Sequence, residues 1–183
     1  MLDLSIKYQD QVISKFRDTW FKDKCKYFHS ANYFEDWVIK DSTWTNHQFV
    51  SVRNGEVIGY IGYNIDRSWD LVNDLAIINF EDSPSMVFAA DMGHAIRDIF
   101  EKYQFRKLCF SVIVGNPIEK AYDKMCLKYG GRIVGIRKKN ARLIDGNFYD
   151  EKLYEIFRED YINAKSRKHT GTEERMLTGQ SVY

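Results

Sequence analysis

The chain has few cysteines, almost no net charge and no metal-binding spacing, and each absence argues against a class of protein. Its three cysteines lie far apart without CxxC spacing, so we expect reduced thiols rather than a disulfide framework. With 27 basic and 26 acidic side chains the net charge is +1, and the concentrated positive surface of a nucleic-acid binder is not expected. The four histidines are scattered, and their spacing predicts no metal site.

Targeting signals and membrane spans are also missing. The segment MLDLSIKYQDQ lacks the basic and apolar blocks of a signal peptide. No stretch approaches the run of about 18 apolar residues that a transmembrane helix needs. We therefore expect a cytoplasmic protein that does not enter a membrane.

The residues that are present indicate one ordered domain. The 183 residues, of which 44% are hydrophobic, fit the ~100–200 residues of a single domain. Apolar residues recur with the period of strands in some segments and of helices in others, which predicts the order β-α-α-β-β-β-α-β-α-β-β. The predicted strands are Leu2–Ile6, Gln48–Arg53, Glu56–Asp66, Leu71–Phe80, Lys107–Val114, Arg132–Leu143 and Phe148–Phe157, and the predicted helices are Asp10–Lys22, Tyr33–Ile39, Ser83–Tyr103 and Asn116–Tyr129.

Local signals support several of these boundaries. Asn54-Gly55 between two apolar runs predicts a tight hairpin, because both central residues of a type I′ turn need positive φ. Ser83-Pro84 is typical of a helix start, with Ser as N-cap and Pro in the first position. Asn116 is a good N-cap for the next helix, which we expect to end at Gly130-Gly131. The solidly apolar run from Lys107 to Val114 predicts a strand buried on both faces.

Three segments in order resemble the GNAT superfamily of acetyl-CoA-dependent N-acetyltransferases, over residues 2–161. They are NGEVIGYIGY, KLCFSVIVGNPIEKAYDKMCLKYGGRIVG and GIRKKNARLIDGNFYDEKLYEIFREDY. The last, with Asp145-Gly146, Asp150 and Tyr154, resembles the branch that contains ribosomal-protein N-terminal acetyltransferases. The resemblance implies an α/β (α+β) fold: a mixed, mostly antiparallel seven-stranded sheet with splayed parallel central strands, flanked by helices. Residues 1–165 would form this domain, followed by a polar tail over residues 166–183.

The resemblance also implies an activity, the transfer of an acetyl group from acetyl-CoA to a primary amine of a protein N-terminus or a small molecule. The donor would bind where the strand Leu71–Phe80 splays from the strand Lys107–Val114, with the backbone at Ile77 and Ile78 paired to pantetheine. Asn116 would contact the same arm. Lys120 could meet a phosphate, or be only a solvated side chain. No metal is implied, the expected partner is the acceptor amine, and a homodimer is considered.

The phosphate loop departs from the family pattern R/Q-x-x-G-x-G/A. The matching residues are SPSMVF, from Ser83 to Phe88, and residues 81–93 contain no basic side chain. Without glycine, backbone NH groups approach a pyrophosphate less closely, and the carboxylates of Glu81 and Asp82 would oppose it. We predict that the amides of Met86, Val87 and Phe88 hold the pyrophosphate. The alternative is a non-catalytic protein of this fold whose donor binding is lost or altered.

The general acid is expected on the helix before Gly130. The family's tyrosine position corresponds to Cys126. The helix from Asn116 to Gly130 looks about three residues longer than is usual in the family, and Tyr122 lies one turn before Cys126 on the same face. Tyr122 is therefore the candidate proton donor, with Tyr129 as the alternative and an amphipathic packing role as the simpler interpretation. Asp74, on the strand expected to adjoin the acceptor, is the candidate base or a rim residue.

Overall fold

The computed structural model describes residues 1–20, 22–28, 39–40 and 43–177, with side chains up to residue 167. The predicted helix over Tyr33–Ile39 falls almost entirely outside these residues. The strands are β1 (Leu2–Leu4), β2 (Asn46–Arg53), β3 (Glu56–Asp66), β4 (Leu71–Asn79), β5 (Lys107–Ile113), β6 (Arg132–Arg142) and β7 (Phe148–Phe157). The α-helices are α1 (Gln9–Thr19), α2 (Met86–Glu101), α3 (Glu119–Lys128) and α4 (Arg158–Leu177), and two 3-10 helices span Ser5–Tyr8 and Asp23–Phe28.

The strands form one seven-stranded sheet in the order β1-β2-β3-β4-β5-β7-β6. All neighbouring strands are antiparallel except β4 and β5, which are parallel. That parallel pairing has only two registered positions, Leu71 with Lys107 and Val72 with Leu108. The predicted mixed, mostly antiparallel sheet with splayed central strands is confirmed.

The two faces of the sheet are covered differently. On one face α1 packs Val12 and Phe16 against β2, β3 and β4, and the ring of Phe16 meets Tyr60 edge-on at 5.5 Å between centroids. On the other face α2 and α3 cover the sheet with fully buried residues such as Ile96 and Ile99. Burying these apolar side chains supplies the main stabilisation of the fold.

β5 corrects one prediction. We expected burial on both faces, but only alternate residues (Leu108, Phe110 and Val112) are buried, and those between them are half-buried. The α1 face of β5 therefore remains partly open, because α1 packs on β2, β3 and β4. This half-open face of β5 lines part of the candidate site.

Both predicted helix starts were placed too early. The N-cap of α2 is Ser85 and not Ser83: its backbone is extended, and its Oγ accepts a hydrogen bond from the amide of Phe88 at 3.3 Å. The helix α3 begins at Glu119, because the Asn116 side chain accepts from the Ile118 amide at 3.1 Å and forms a turn. The ten-residue α3 does not have the extra turn that the choice of Tyr122 assumed.

The glycine predictions at the turns are confirmed. Asn54 and Gly55 have φ of 52° and 85° between β2 and β3, as a type I′ hairpin requires. Gly130, with φ of 76°, follows α3. At Gly131 a Cβ would lie 2.7 Å from the carbonyl oxygen of Glu155, so this close approach of α3 to β7 requires glycine.

The C-terminal segment is more regular than a tail. Helix α4 follows β7 directly and continues past residue 166, where the polar tail was expected to begin. Tyr161 ties its first turns to α2: its hydroxyl donates to the carboxylate of Glu101, and its ring stacks on Phe100 at 4.8 Å. The division of the chain at residue 165 stays a prediction.

Candidate active site

The divergence of β4 from β5 opens a cleft of about 230 Å³ in the sheet. After Val72 the edge of β4 that faces β5 has no strand partner among the described residues, although its other edge remains paired with β3. The cleft therefore has one wall of free backbone groups and another of apolar side chains. Its lining comprises Tyr27, Phe28, Leu75, Ala76, Ile77, Ile78, Ser111, Val112, Ile113, Asn116, Ile118 and Tyr122.

Four of the predicted site residues line this cleft. Ile77 and Ile78 contribute from β4, where they pair with Ile61 and Tyr60 of β3. Asn116 and Tyr122 contribute from the segment that follows β5. Residues about 40 positions apart in the sequence are thus brought together by one feature, the splayed pair of strands.

Tyr122 is the buried polar group of the cleft. Its side chain is 5% exposed, and its ring contacts Phe110 edge-on at 5.4 Å. Burial raises the pKa of Tyr122 above its ordinary value, so the phenol stays protonated at neutral pH. Among the described residues none hydrogen bonds to the Tyr122 hydroxyl. This proton is available to a ligand in the cleft.

Three other residues on or next to α3 do not line the cleft. The ring of Tyr129 packs on Tyr161 at 5.4 Å, at the far end of the helix. Cys126, which occupies the family's tyrosine position, is 1% exposed, and burial raises the pKa of its thiol to about 11. Lys120 lies on the exposed side of α3 and forms no ion pair among the described residues.

Asp74 lies where β4 begins to leave β5. The pairing of β4 with β3 shifts between Gly62 and Asn64, and in the resulting bulge Asp74 has φ of 53°. Its exposed carboxylate accepts a hydrogen bond from the Asn64 side chain at 3.0 Å. A bulge of this kind redirects side chains and often adjoins functional sites.

The loop before α2 has cations that sequence reasoning missed. Met86 and Val87 begin α2 and are exposed, whereas Phe88 is buried against Gly59. Lys24, 57 residues earlier in the chain, donates to the Glu81 carbonyl oxygen at 2.9 Å and pairs with Asp82 at 2.7 Å.

The second cation is Arg53 of β2, which pairs with the Glu81 carboxylate. The hydrogen bond from Lys24 also lowers the pKa of Asp82. Both carboxylates of the loop are therefore paired with cations from outside residues 81–93, where the sequence has no basic side chain.

A second cavity, of about 300 Å³, lies beside the cleft on the half-open face of β5 and β7. It is lined by Asn73, Asp74, Lys107, Cys109, Phe110, Ser111, Val134, Arg137, Glu151, Leu153, Tyr154 and Glu155. Ser111 lines both cavities, and its Oγ donates to Glu151 Oε1 at 2.7 Å. No sequence signal singled out Ser111 and Glu151, because they meet only through the pairing of β5 with β7.

Solved structures of acetyltransferases are similar to this fold. A spermidine N-acetyltransferase of Vibrio cholerae (SpeG, a single-substitution variant) matches with a TM-score of 0.57 at 21% sequence identity, covering 67% of this chain and 72% of that one. The chain has the GNAT fold. A SpeG complex with manganese ions matches with a TM-score of 0.55 at 21% identity, covering 66% and 70%.

A GNAT-fold match from another organism is a T. thermophilus protein whose name proposes an acetyltransferase. Its TM-score is 0.51 at 22% identity, and the match covers 68% of this chain and 65% of that one. No protein-family model matches the chain, and no curated protein matches it in sequence. At these identities the comparisons show the fold.

In the described part of the chain, no helix combines the length and the apolar character needed to cross a membrane. Within the same residues, no three histidine, cysteine or acidic side chains are grouped as metal ligands.

Proposed function

We propose that this protein transfers an acetyl group from acetyl-CoA to a primary amine. The observation that carries the proposal is the buried Tyr122, which lines a cleft between splayed parallel strands and has no partner for its hydroxyl among the described residues. The GNAT fold of the matching acetyltransferases supports it. Some of those proteins are named for spermidine. The candidate acceptors are therefore a small polyamine and a protein N-terminus.

The residues of the cleft fit a pantetheine arm. The free edge of β4 beside Ile77 and Ile78 offers backbone donors and acceptors, and the rest of the lining is mostly apolar. Asn116 adds a side-chain amide at the same wall. Bound acetyl-CoA supplies an acetyl carbonyl activated by its thioester. The chain's own contribution is to hold this group and exclude water from it.

Tyr122 acts as the general acid in this proposal. Its hydroxyl donates a proton to the sulfur as the carbon–sulfur bond breaks, and the raised pKa keeps that proton in place until then. Asp74, at the bulge and in the second cavity, orients the amine. The amides of Met86 and Val87, at the N-terminus of α2, hold the pyrophosphate with help from the helix dipole.

Thermal unfolding with and without acetyl-CoA or CoA tests donor binding. A ligand at 100 times its Kd adds about 2.7 kcal/mol of apparent stability, which a melting curve resolves. Transfer is then followed by thiol release with spermidine, lysine and a short peptide with a free α-amino group. No shift with either nucleotide, in protein shown to be folded, would disprove the donor site.

A second function is favoured by the loop SPSMVF, which has no glycine to admit a pyrophosphate. In this alternative the protein keeps the fold as a non-catalytic binding module. Binding of CoA without transfer to any amine of the panel would support this alternative over the transferase.

A further inference from the structure

Ser111 and Glu151 occupy the junction of the two cavities. Given the proposed acetyl transfer, on which this inference rests, we propose that they form the proton acceptor for the incoming amine. Glu151 receives the ammonium proton in the second cavity, directly or through the Ser111 hydroxyl. The amine then reaches the cleft in its neutral, nucleophilic form.

Position singles out Ser111. It lies on β5 at the splay, and of the described residues that line the two cavities it alone belongs to both. A group at this place faces the donor cleft on one side and the second cavity on the other. Ser111 therefore adjoins both an amine placed in the second cavity and a thioester placed in the cleft beside Tyr122.

Hydrogen bonds hold the Glu151 carboxylate beside Ser111. Its Oε1 accepts from Ser111 at 2.7 Å, and its Oε2 accepts from the Asn140 side chain at 2.7 Å. The Arg137 guanidinium lies 3.7 Å from Glu151 Oε2, and the Glu151 side chain is 17% exposed. The carboxylate is thus held in place from two sides while it still lines the second cavity, which positions it beside an amine bound there.

The other carboxylates of the second cavity are less suited to this role. Glu155 is held by ion pairs with Lys107 and Arg132. Asp74 accepts its hydrogen bond from Asn64, which lines neither cavity. Of these described carboxylates, Glu151 alone is hydrogen bonded to a residue of the donor cleft. The other charged groups that line the second cavity are Asp74 from β4, Lys107 from β5, Arg137 from β6 and Glu155 from β7.

The proton balance is complete without another reactant. The amine nitrogen forms a bond to the acetyl carbon, the carbon–sulfur bond breaks, and two protons leave an initial ammonium. The first passes to Glu151 and from there to water. The second passes to Tyr122, where it replaces the proton that Tyr122 gives to the sulfur.

The test is a pH profile of kcat/KM from pH 6 to 9, with the fastest amine of the panel. Glu151→Gln should lower kcat/KM by about 10²–10⁴-fold at neutral pH. Its remaining rate should rise about tenfold per pH unit, because only amine that is already neutral can react. The wild-type profile should be flatter, and Ser111→Ala should lose roughly tenfold as a lost relay.

Two variants serve as comparisons. Asp150→Asn removes a carboxylate from the neighbouring position of β7, where it bonds Lys138 and the Lys139 amide and lines neither cavity. It should stay within about twofold of wild type, as expected for a surface ion pair. Asp74→Asn removes a group that orients the amine, so its rate should fall, but the slope of its pH profile should stay that of wild type. If Asp74→Asn gives the sloped profile instead of Glu151→Gln, Asp74 is the base and the inference is wrong.

A second readout needs no turnover. In donor-free protein carrying ¹³C-labelled glutamate carboxyls, the Glu151 signal is identified by its absence in Glu151→Gln. It should move when the acceptor amine is added, and a fixed signal would contradict the contact. Equal rates for Glu151→Gln and Asp150→Asn would overturn this inference and leave the transferase standing. A wild-type protein that acetylates no amine would overturn both.

Discussion

A single side chain, Tyr122, links the sequence pattern to the proposed chemistry. It was selected as one turn before the family's usual position, on the assumption that its helix had gained nearly a turn. That assumption was wrong, since α3 has ten residues. Tyr122 nevertheless lines the cleft, because Asn116 to Ile118 form a turn that brings the first turn of α3 beside β5.

Tyr122→Phe should lower turnover about tenfold or more, because it removes the proton donor. Acetyl-CoA affinity should change little, since Phe retains the ring that packs on Phe110. Tyr129→Phe, at the C-cap of the same helix, is the matched control and should have a much smaller effect. Steady-state kinetics give kcat, and thermal shift gives donor affinity. Equal small losses in both variants would mean that water protonates the sulfur.

At the scale of elements, the loop between β4 and α2 depends on parts of the chain distant in sequence. Lys24, in the 3-10 helix Asp23–Phe28, and Arg53, at the end of β2, neutralise Glu81 and Asp82. The 3-10 helix also borders the cleft through Tyr27 and Phe28. One short element thus closes the cleft and places a cation beside the proposed phosphate site.

Charge changes in this loop should alter donor affinity in opposite directions. Replacing Glu81 with Gln and Asp82 with Asn removes two negative charges and frees both cations, so acetyl-CoA should bind more tightly. Lys24→Gln should weaken binding by roughly two- to fivefold, as expected for one partly exposed charge. Lys7→Gln, a surface lysine paired with Asp3, is the control. The measurement is calorimetric titration at low and high salt. Weaker binding in the double variant would place the phosphates elsewhere.

For the whole molecule, His47 makes stability depend on pH. The side chain is 6% exposed, its Nδ1 lies 2.8 Å from the Tyr63 hydroxyl, and its ring contacts Tyr103 at 4.5 Å. Burial lowers the pKa of His47, and the positive charges of Arg67 and Lys102 lower it further. The folded protein therefore favours the neutral imidazole.

The unfolded chain binds a proton at His47 near the ordinary pKa of about 6.5, while the folded chain binds it only at lower pH. The stability from the neutral ring is thus complete above about pH 6.5 and is lost as pH falls, by at most about 1.4 kcal/mol per unit. Urea unfolding from pH 7.5 to 5 should show a shallower loss in His47→Gln than in wild type. The exposed His94→Gln should match the wild-type slope. Parallel slopes for all three proteins would contradict this pKa shift.

Most elements of the fold were predictable because their signals are local. The apolar runs on either side of the Asn54-Gly55 turn determine β2 and β3 to within two residues, and the Gly130-Gly131 pair marks the end of α3. Helix starts were less predictable. Ser83 and Ser85 both suit the N-cap of α2, and Asn116 suits that of α3, but contacts with neighbouring residues decide where each helix begins.

The sequence by itself determined the order of strands and helices along the chain. Through the resemblance to the GNAT superfamily, that order predicted a splayed parallel pair and a cleft near Tyr122, Ile77 and Asn116. Only the tertiary structure decided which charges surround that cleft. Lys24 reaches Asp82 across 58 positions, and Ser111 meets Glu151 across 40. The physical reason is that hydrophobic periodicity encodes which face of an element is buried. Side-chain hydrogen bonds between strands depend instead on register and bulges, which are set by the packing of the whole sheet.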